Sequence, residues 1–476
     1  MIRVDTAYPR AGLGFDAQQQ ETTTPRELAV SGTFPSWLTG SLLRNGPGDW
    51  SAGSTSLRHW FDGFALLHHF SFDGGRVHYA SRFLQSAARQ RAEAAGELAV
   101  REFATDPCRS IFRRVQSLFD PGNAVTDNAN VSVQRLGDRF IAMTETPLPV
   151  IFDRQTLDRT GLAYKAPGQI TTAHPHYERG SGALINYAAR LGARSSYRVF
   201  RVDPDTTAVE ELARVPVREP AYMHSFGISR RYFVLAEFPL VVNPLRLALS
   251  DQPFIANYRW KPERGTVFTV IDRSSGAVVA RLRGEACFGF HHINAYDDGD
   301  SLVVDICVAD DASVIDELYL NRLRDRFAEP RTGAVDYPRP TRFTLDLARS
   351  TVTSRRLSDE FLDLPTVNNR LVRERPYSTA WGVGSDGVWH DRLIALDVTT
   401  GQTRTWREPS TYPGEPIFVA RPEATREDDG VLLTVALNAD HGTSSLVALD
   451  ARSLEPLGRA DVGHPIPYGF HGLYTS

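Results

Sequence analysis

Four histidines and three carboxylates in this sequence have the types and spacing to hold one metal ion. The histidines stand in Ala173-His174-Pro175-His176, Met223-His224-Ser225, Phe290-His291-His292 and Phe470-His471-Gly472. The carboxylates are Glu145, Asp363 and Glu415. Imidazole nitrogen suits Zn, Cu, Fe or Ni, and the donor set alone does not choose among them. Four neutral imidazoles leave a divalent charge uncompensated. Carboxylates one step further out would offset that charge and fix each ring by accepting its other N–H. The chain has 13 histidines but only three cysteines. Cys108, Cys287 and Cys307 are too far apart for a disulfide framework or a thiolate zinc knuckle. A lone strand histidine is commonly a packed core residue, so the chemistry depends on a fold that brings these four together.

The elements that must position them read as strands. Most apolar runs are short, rich in β-branched and aromatic residues, and bounded by Gly, Pro, Asp or Asn. A strand ending in Asp, then turn residues, then a second strand recurs at Asp73, Asp153, Asp203, Asp272, Asp346, Asp397 and Asp450. An Asp at that place accepts hydrogen bonds from backbone N–H groups just ahead, which favours a hairpin. Seven such units predict an all-β, seven-bladed β-propeller, with a helical and loop cap on one face. A length of 476 residues would allow about three domains; the repeats instead predict one, spanning 1–476. Residues 1–35 form an N-terminal arm in this reading, and the strand at 468–476 closes the ring. Reading back from each hairpin to the innermost strand brings the four histidine segments and the three carboxylates to the propeller axis. The stretches 113–128, 238–258 and 310–339 are too long for blade turns and are expected to carry function.

Further motifs carry a family resemblance over about Pro35 to Ser476. They are Leu42-Leu43-Arg44-Asn45-Gly46-Pro47-Gly48, His59-Trp60-Phe61-Asp62-Gly63, Asp106-Pro107-Cys108-Arg109-Ser110-Ile111-Phe112 and Thr144-Glu145-Thr146. With them come Phe290-His291-His292-Ile293-Asn294-Ala295-Tyr296, Gly414-Glu415-Pro416-Ile417-Phe418-Val419 and Phe470-His471-Gly472-Leu473-Tyr474. The chain resembles the carotenoid cleavage oxygenases, in the branch with the β-carotene dioxygenases and the retinal pigment epithelium isomerase. The resemblance implies a propeller that holds Fe(II) by His174, His224, His291 and His471, with Glu145, Asp363 and Glu415 behind them. Asp363 departs from the pattern, where Glu is usual; being one methylene shorter, it needs a backbone shift or a bridging water to reach its histidine. The implied reaction is O₂-dependent cleavage of one C=C bond of a carotenoid or apocarotenoid, centrally placed, to retinal-type aldehydes. Phe103 and Thr144 match positions along the substrate tunnel. No general acid or base is implied.

Composition trims the alternatives. A net charge of −4 excludes a basic, phosphate-tracking nucleic-acid binder. No apolar run is long enough for a membrane-spanning helix, and Met1 to Gly12 lacks the apolar core of a secretory leader. The expected place is therefore the cytoplasm, peripherally on a membrane. In 108–119, Ile111, Phe112, Val115, Leu118 and Phe119 share a helical face beside Arg109, Arg113 and Arg114; in 238–249, Leu240, Val241, Val242, Leu245 and Leu247 accompany Arg246. Stilbenoid-cleaving relatives use a lysine near 123–131, but the lysines here are Lys165 and Lys261. A retinoid isomerohydrolase and a non-enzymatic propeller scaffold are the remaining readings. Gly382-Val383-Gly384-Ser385-Asp386-Gly387 fits a dinucleotide fingerprint in letters only, because a strand follows where a helix is required.

Overall fold

A computed structural model describes residues 8–18, 20–106, 125–329 and 335–476. Its strands form seven antiparallel sheets arranged as the blades of a propeller, with two small two-stranded ribbons besides. Blade I runs inward from Thr22–Glu27 through Arg76–Phe83, Phe64–Asp73 and Gly40–Asp49 to Gly472–Thr475. Blades II to VI have their innermost strands at Ser132–Leu136, Ile170–Thr171 with His176–Tyr177, Gly227–Ile228, His292–Asp298 and Asp363–Thr366. Blade VII ends inward on Thr411–Pro413 and Ile417–Ala420, and its outermost strand is Ala29–Gly32. Both chain ends thus close the ring. The segment expected as an N-terminal arm supplies outer strands to two blades. Those strands are mostly exposed and carry no apolar alternation, so the sequence pattern that marks inner strands is missing from them.

The repeated Asp does the local work assigned to it. Asp153 Oδ1 accepts from Gln155 N at 2.9 Å and Thr156 N at 2.8 Å. Asp203, Asp272, Asp397 and Asp450 make the same pair of bonds to the residues two and three ahead. The fourth residue after six of the seven Asp residues, at Leu157, Thr207, Gly276, Ser350, Gly401 and Leu454, has positive φ, Asp73 being the exception. An Asp-capped turn followed by one left-handed residue lets the two strands continue in register past a bulge. Only two of these six residues are glycine, so the turn is specified by the Asp bonds strongly enough to hold side chains in a disfavoured region.

Between the blades lie separate apolar cores. Leu42, Phe70 and Tyr79 of blade I pack with Leu433, Leu446 and Ala448 of blade VII. Tyr187, Tyr197 and Val199 of blade III meet Phe226, Phe233 and Leu235 of blade IV. The largest core runs under the inserted segments. In the insertion after residue 309, Leu320, Leu323 and Phe327 recur at helical spacing and are buried along the helix Leu320–Ala328. In the insertion after residue 237, Asn243 caps the helix Pro244–Leu249 by accepting from Leu245 N and Arg246 N, with Pro244 at the first helical position. Residues 108–119 lie outside the described residues. No helix among the described residues is long and apolar enough to cross a membrane.

Candidate metal centre

The inner strands deliver the four histidines to one point. His174 lies between the two short inner strands of blade III, and His224, His291 and His471 just precede those of blades IV, V and I. Their backbones are tied to neighbouring blades. Ser132 Oγ donates to Ala173 O at 2.6 Å, Ser225 Oγ to Phe290 O at 2.6 Å, and His471 N to Val131 O at 3.1 Å. The Thr172 hydroxyl donates to His224 O and accepts from His174 N at 3.0 Å. Each histidine is therefore held by the blade beside it as well as by its own.

One ring nitrogen from each of the four lies within 4.8 Å of the others. Nε2 of His174 is 3.0 Å from Nε2 of His224, and Nε2 of His291 is 3.2 Å from Nε2 of His471. Behind the rings stand the carboxylates. Glu145 Oε1 accepts from His224 Nδ1 at 2.7 Å, Asp363 Oδ1 from His291 Nδ1 at 2.6 Å, and Glu415 Oε1 from His471 Nδ1 at 2.7 Å. Those bonds put the protons of His291 and His471 on Nδ1. Their Nε2 lone pairs then face each other at 3.2 Å with no proton between them, an arrangement that a cation relieves. The separations of 3.0 and 3.2 Å are those of neighbouring ligands at right angles, given metal–imidazole bonds of about 2.1 Å. The residues fit one imidazole-bound ion. Burial, with the other imidazoles adding repulsion, holds His174 well below the usual histidine range, so it stays neutral and its lone pair is available.

The short acid reaches its histidine through the backbone. Asp363 pairs with Val383 and Thr366 with Trp381, which leaves one extra residue on the inner strand of blade VI. Leu364, in that bulge, has φ +47°. The contact is direct, without a bridging water in the geometry. Burial pushes the Asp363 carboxyl up, but the His291 imidazole, the Leu364 N–H and His390 together outweigh this and leave it below its ordinary value.

Two supporting residues were not apparent from spacing. Tyr222 Oη donates to Glu145, 2.9 and 3.0 Å from its two oxygens. Arg44, itself buried, donates to Glu415 Oε2 at 3.2 Å, to Glu415 O at 3.0 Å and to Phe470 O at 3.1 Å. Tyr222 stands two residues before a predicted ligand, and Arg44 lies in the Leu42–Gly48 motif; nothing local identifies either partner. Four non-ligand histidines have partners of their own, His176 with Phe226 O, His292 Nδ1 with Ser225, His68 with Tyr79 and His69 with Ser41, while the buried Nε2 of His292 has none among the described residues. Gly382–Gly387 lies on the hairpin between strands Thr379–Ser385 and His390–Asp397, not at a helix.

A cavity of about 410 Å³, measured as the space open to the centre of a water-sized sphere, reaches His224, His291 and His471. Phe103 and Thr144 both line it, with Phe61, Phe254 and Phe290. Phe103 packs against Phe61, His59 and Tyr222 at ring separations of 5.2, 5.1 and 6.0 Å. Phe61 lies nearly parallel to the His224 ring. Of the apolar residues expected at a lipid-facing mouth, Leu240, Val241 and Val242 are buried, Leu247 lines the cavity and Leu245 stands out, 64% exposed; Leu249, not among those expected, is 83% exposed.

A family model described as retinal pigment epithelial membrane protein matches residues 15–476. The chain is 35% identical over 510 residues to the carotenoid isomerooxygenase of Galleria mellonella, covering 99% of this chain and 98% of that one. It is 33% identical over 517 residues to the mitochondrial carotenoid-cleaving dioxygenase of Macaca fascicularis, covering 94% and 92%. Among solved structures, a variant of the Synechocystis apocarotenoid oxygenase superposes with a TM-score of 0.86 at 25% identity, over 98% of this chain and 99% of that one. A cobalt-substituted form of the same oxygenase gives 0.84 at 25% identity over the same shares.

Proposed function

The chain belongs to the retinal pigment epithelial membrane protein family, the carotenoid cleavage oxygenases, and we propose that it uses Fe(II) and O₂ to split one C=C bond of a carotenoid or apocarotenoid, giving two carbonyl products. We further propose that a central double bond is cut, giving retinal-type aldehydes. The observation that carries the reading is the four-histidine cluster beside a cavity of about 410 Å³ that Phe61, Phe103, Phe254 and Phe290 help to line.

In this reading His174, His224, His291 and His471 hold the metal. Glu145, Asp363 and Glu415 orient three of those rings and offset the charge. Ferrous iron bound there would supply the redox chemistry that O₂ activation requires. The chain's own residues do the rest by shape. Phe61, Phe103 and Phe290 exclude water and present apolar surface to the polyene, and Thr144 lies beside Glu145 on the same wall. The cavity fixes which double bond reaches the metal, so depth, not acid–base chemistry, sets the product. We also propose that the exposed pair Leu245 and Leu249, with Arg246 between them, docks the cavity mouth on an anionic lipid surface. L245D/L249D protein should then lose sedimentation with anionic liposomes, and unchanged sedimentation would end that idea.

The test is direct. Iron-loaded protein is incubated with β-carotene, 8′-apocarotenal and a stilbene in detergent, and the aldehydes are identified by mass. Retinal-type aldehydes from the polyenes support the reading; aldehydes from the stilbene alone, or none with iron bound, reject it. The likeness to a protein named an isomerooxygenase favours a second activity, double-bond isomerisation coupled to cleavage. The same chromatograms decide it through the cis or trans form of the aldehyde.

A further inference from the structure

One acid on the cavity wall is not used by the metal centre. Phe103 turns toward Phe61 and Tyr222, whereas its neighbour Glu102 meets Thr126, whose Oγ1 donates to Glu102 Oε1 at 2.8 Å. Glu102 and Thr126 both line the cavity. Two further carboxyls lie close, Asp62 and Asp127. They are not equivalent to it. Asp62 accepts from Ala104 N at 2.8 Å, Thr105 Oγ1 at 2.6 Å and His59 N at 3.1 Å. Asp127 accepts from Ala87 N and Ala88 N at 2.9 and 2.8 Å and faces Arg159 at 3.5 Å. Glu102 has the Thr126 hydroxyl and the Asn128 side chain, and the charged neighbours named for it among the described residues are Asp62 and Asp127. Arg101, next in the chain, is committed to Asp106 at 2.6 Å.

A buried carboxyl beside two carboxylates with stronger donor sets is the one that keeps its proton. Burial, with Asp62 and Asp127 adding repulsion, pushes Glu102 well above the usual carboxylate range. Burial raises Asp62 as well, but against a full set of donors. The Thr126 hydroxyl also accepts from Asn128 N at 3.1 Å, so its single proton goes to Glu102 Oε1. The Glu102 proton then belongs on Oε2. Glu102 keeps 5% exposure, and it lines the cavity. Three other polar side chains that line the cavity are already engaged, Thr146 with Thr126 O, Gln169 with Leu191, and Tyr337 with Val388 O.

We infer that Glu102, oriented by Thr126, forms a polar subsite that donates a hydrogen bond to an oxygen on one end of the polyene. The inference deepens the proposed cleavage and rests on it for the substrate class. It selects oxygen-bearing polyenes, with a hydroxyl or carbonyl end group, over the plain hydrocarbon. A hydrocarbon end seated there expels water and leaves the donor unpaired, and the discrimination expected is about 5- to 150-fold.

The experiment measures kcat/KM of the full-length, iron-loaded protein for 8′-apocarotenal and for the 3,3′-dihydroxy derivative of β-carotene, each relative to β-carotene. In parallel, tryptophan quenching of the iron-free protein gives the same ratios as Kd. The better oxygenated probe should exceed β-carotene in both ratios. Glu102→Met should lower both by about 5- to 150-fold, whereas Glu102→Gln, whose amide still donates, should hold them within about threefold of wild type. Equal ratios in wild type and Glu102→Met overturn the subsite, as does a wild type that prefers β-carotene, a reading that survives even if a variant fails to fold. A fall in Glu102→Gln as large as in Glu102→Met overturns the neutral donor. Absence of cleavage with every polyene would reject the dioxygenase reading instead, and the Kd ratios of the iron-free protein would still judge the subsite.

Discussion

Replacing Asp363 by alanine isolates what the carboxylates contribute. The Asp363 Oδ1 to His291 Nδ1 bond is 2.6 Å long, in surroundings where the two side chains are 16% and 8% exposed. It fixes the His291 tautomer, so that Nε2 would offer its lone pair to a bound metal. Removing such an orienting carboxylate costs about 10- to 100-fold in metal affinity, or about 1.4 to 2.8 kcal/mol. Asp363→Asn keeps an acceptor for Nδ1–H and drops the charge. Charge-assisted bonds are roughly twice as strong as neutral ones, so this variant should lose about half as much free energy, roughly 3- to 10-fold in affinity. Asp363→Glu adds a methylene where the bulge at Leu364 already brings the carboxylate into contact, and it should bind metal no better than wild type. The assay is anaerobic Fe(II) competition against a chromogenic chelator, with thermal unfolding to show that each variant is folded. Wild-type affinity in a folded Asp363→Ala protein would refute the orienting role.

Three further outcomes are expected. His291→Ala should leave substoichiometric iron by elemental analysis and no aldehyde product; a retained one-to-one ratio would contradict the ligand assignment. Acid should destabilise the fold from pH 7 downward. Burial lowers His68 to about 3 and His59 to about 4, so between those values and the unfolded value near 6.5 the unfolded chain binds protons that the folded one refuses. Stability is then full above about pH 6.5 and is lost as pH falls through that window, by about 2 kcal/mol per histidine at pH 5. His68→Gln should flatten the fall of the urea midpoint between pH 7 and 5, and an unaltered slope would reject this. Arg44→Met should lower stability by about 3 to 5 kcal/mol, because it leaves a buried carboxylate without its cation. Arg44→Met/Glu415→Gln should recover part of that loss in a double-mutant cycle, and strict additivity would deny the coupling.

What the sequence made legible was whatever is local. Six of the seven hairpin Asp residues bond a backbone N–H of their own turn within three residues, a local pattern from which the blades could be read off. The histidines could be located because each precedes or interrupts an inner strand of its own blade. The shortness of Asp363 was visible, but not its remedy, since a bulge is a relation between two strands and leaves no mark in either alone. The two outer strands within 1–35 leave little mark in the sequence for a related reason: they show no apolar alternation, and their partners lie more than 50 residues away for Thr22–Glu27 and at the far end of the chain for Ala29–Gly32. Glu102 escaped notice because an acid beside a phenylalanine means nothing until Asp62 and Asp127 are seen around it.

The least legible contact, Arg44 with Glu415, explains the charge of the whole centre. Three carboxylates sit behind the four imidazoles, which would bind a metal as neutral ligands. Against a divalent ion alone they leave one negative charge in excess, buried where screening is weak. Arg44 lies at that excess, 3.2 Å from Glu415, with its side chain 5% exposed. A divalent ion, the three carboxylates and the guanidinium together would come to neutrality. His174 is then the imidazole for which no fourth carboxylate is needed, and adding one would restore the imbalance. The same balance explains why an arginine serves at position 44: it must stay charged while buried, and its flat fork must reach Glu415 and the Phe470 carbonyl at once.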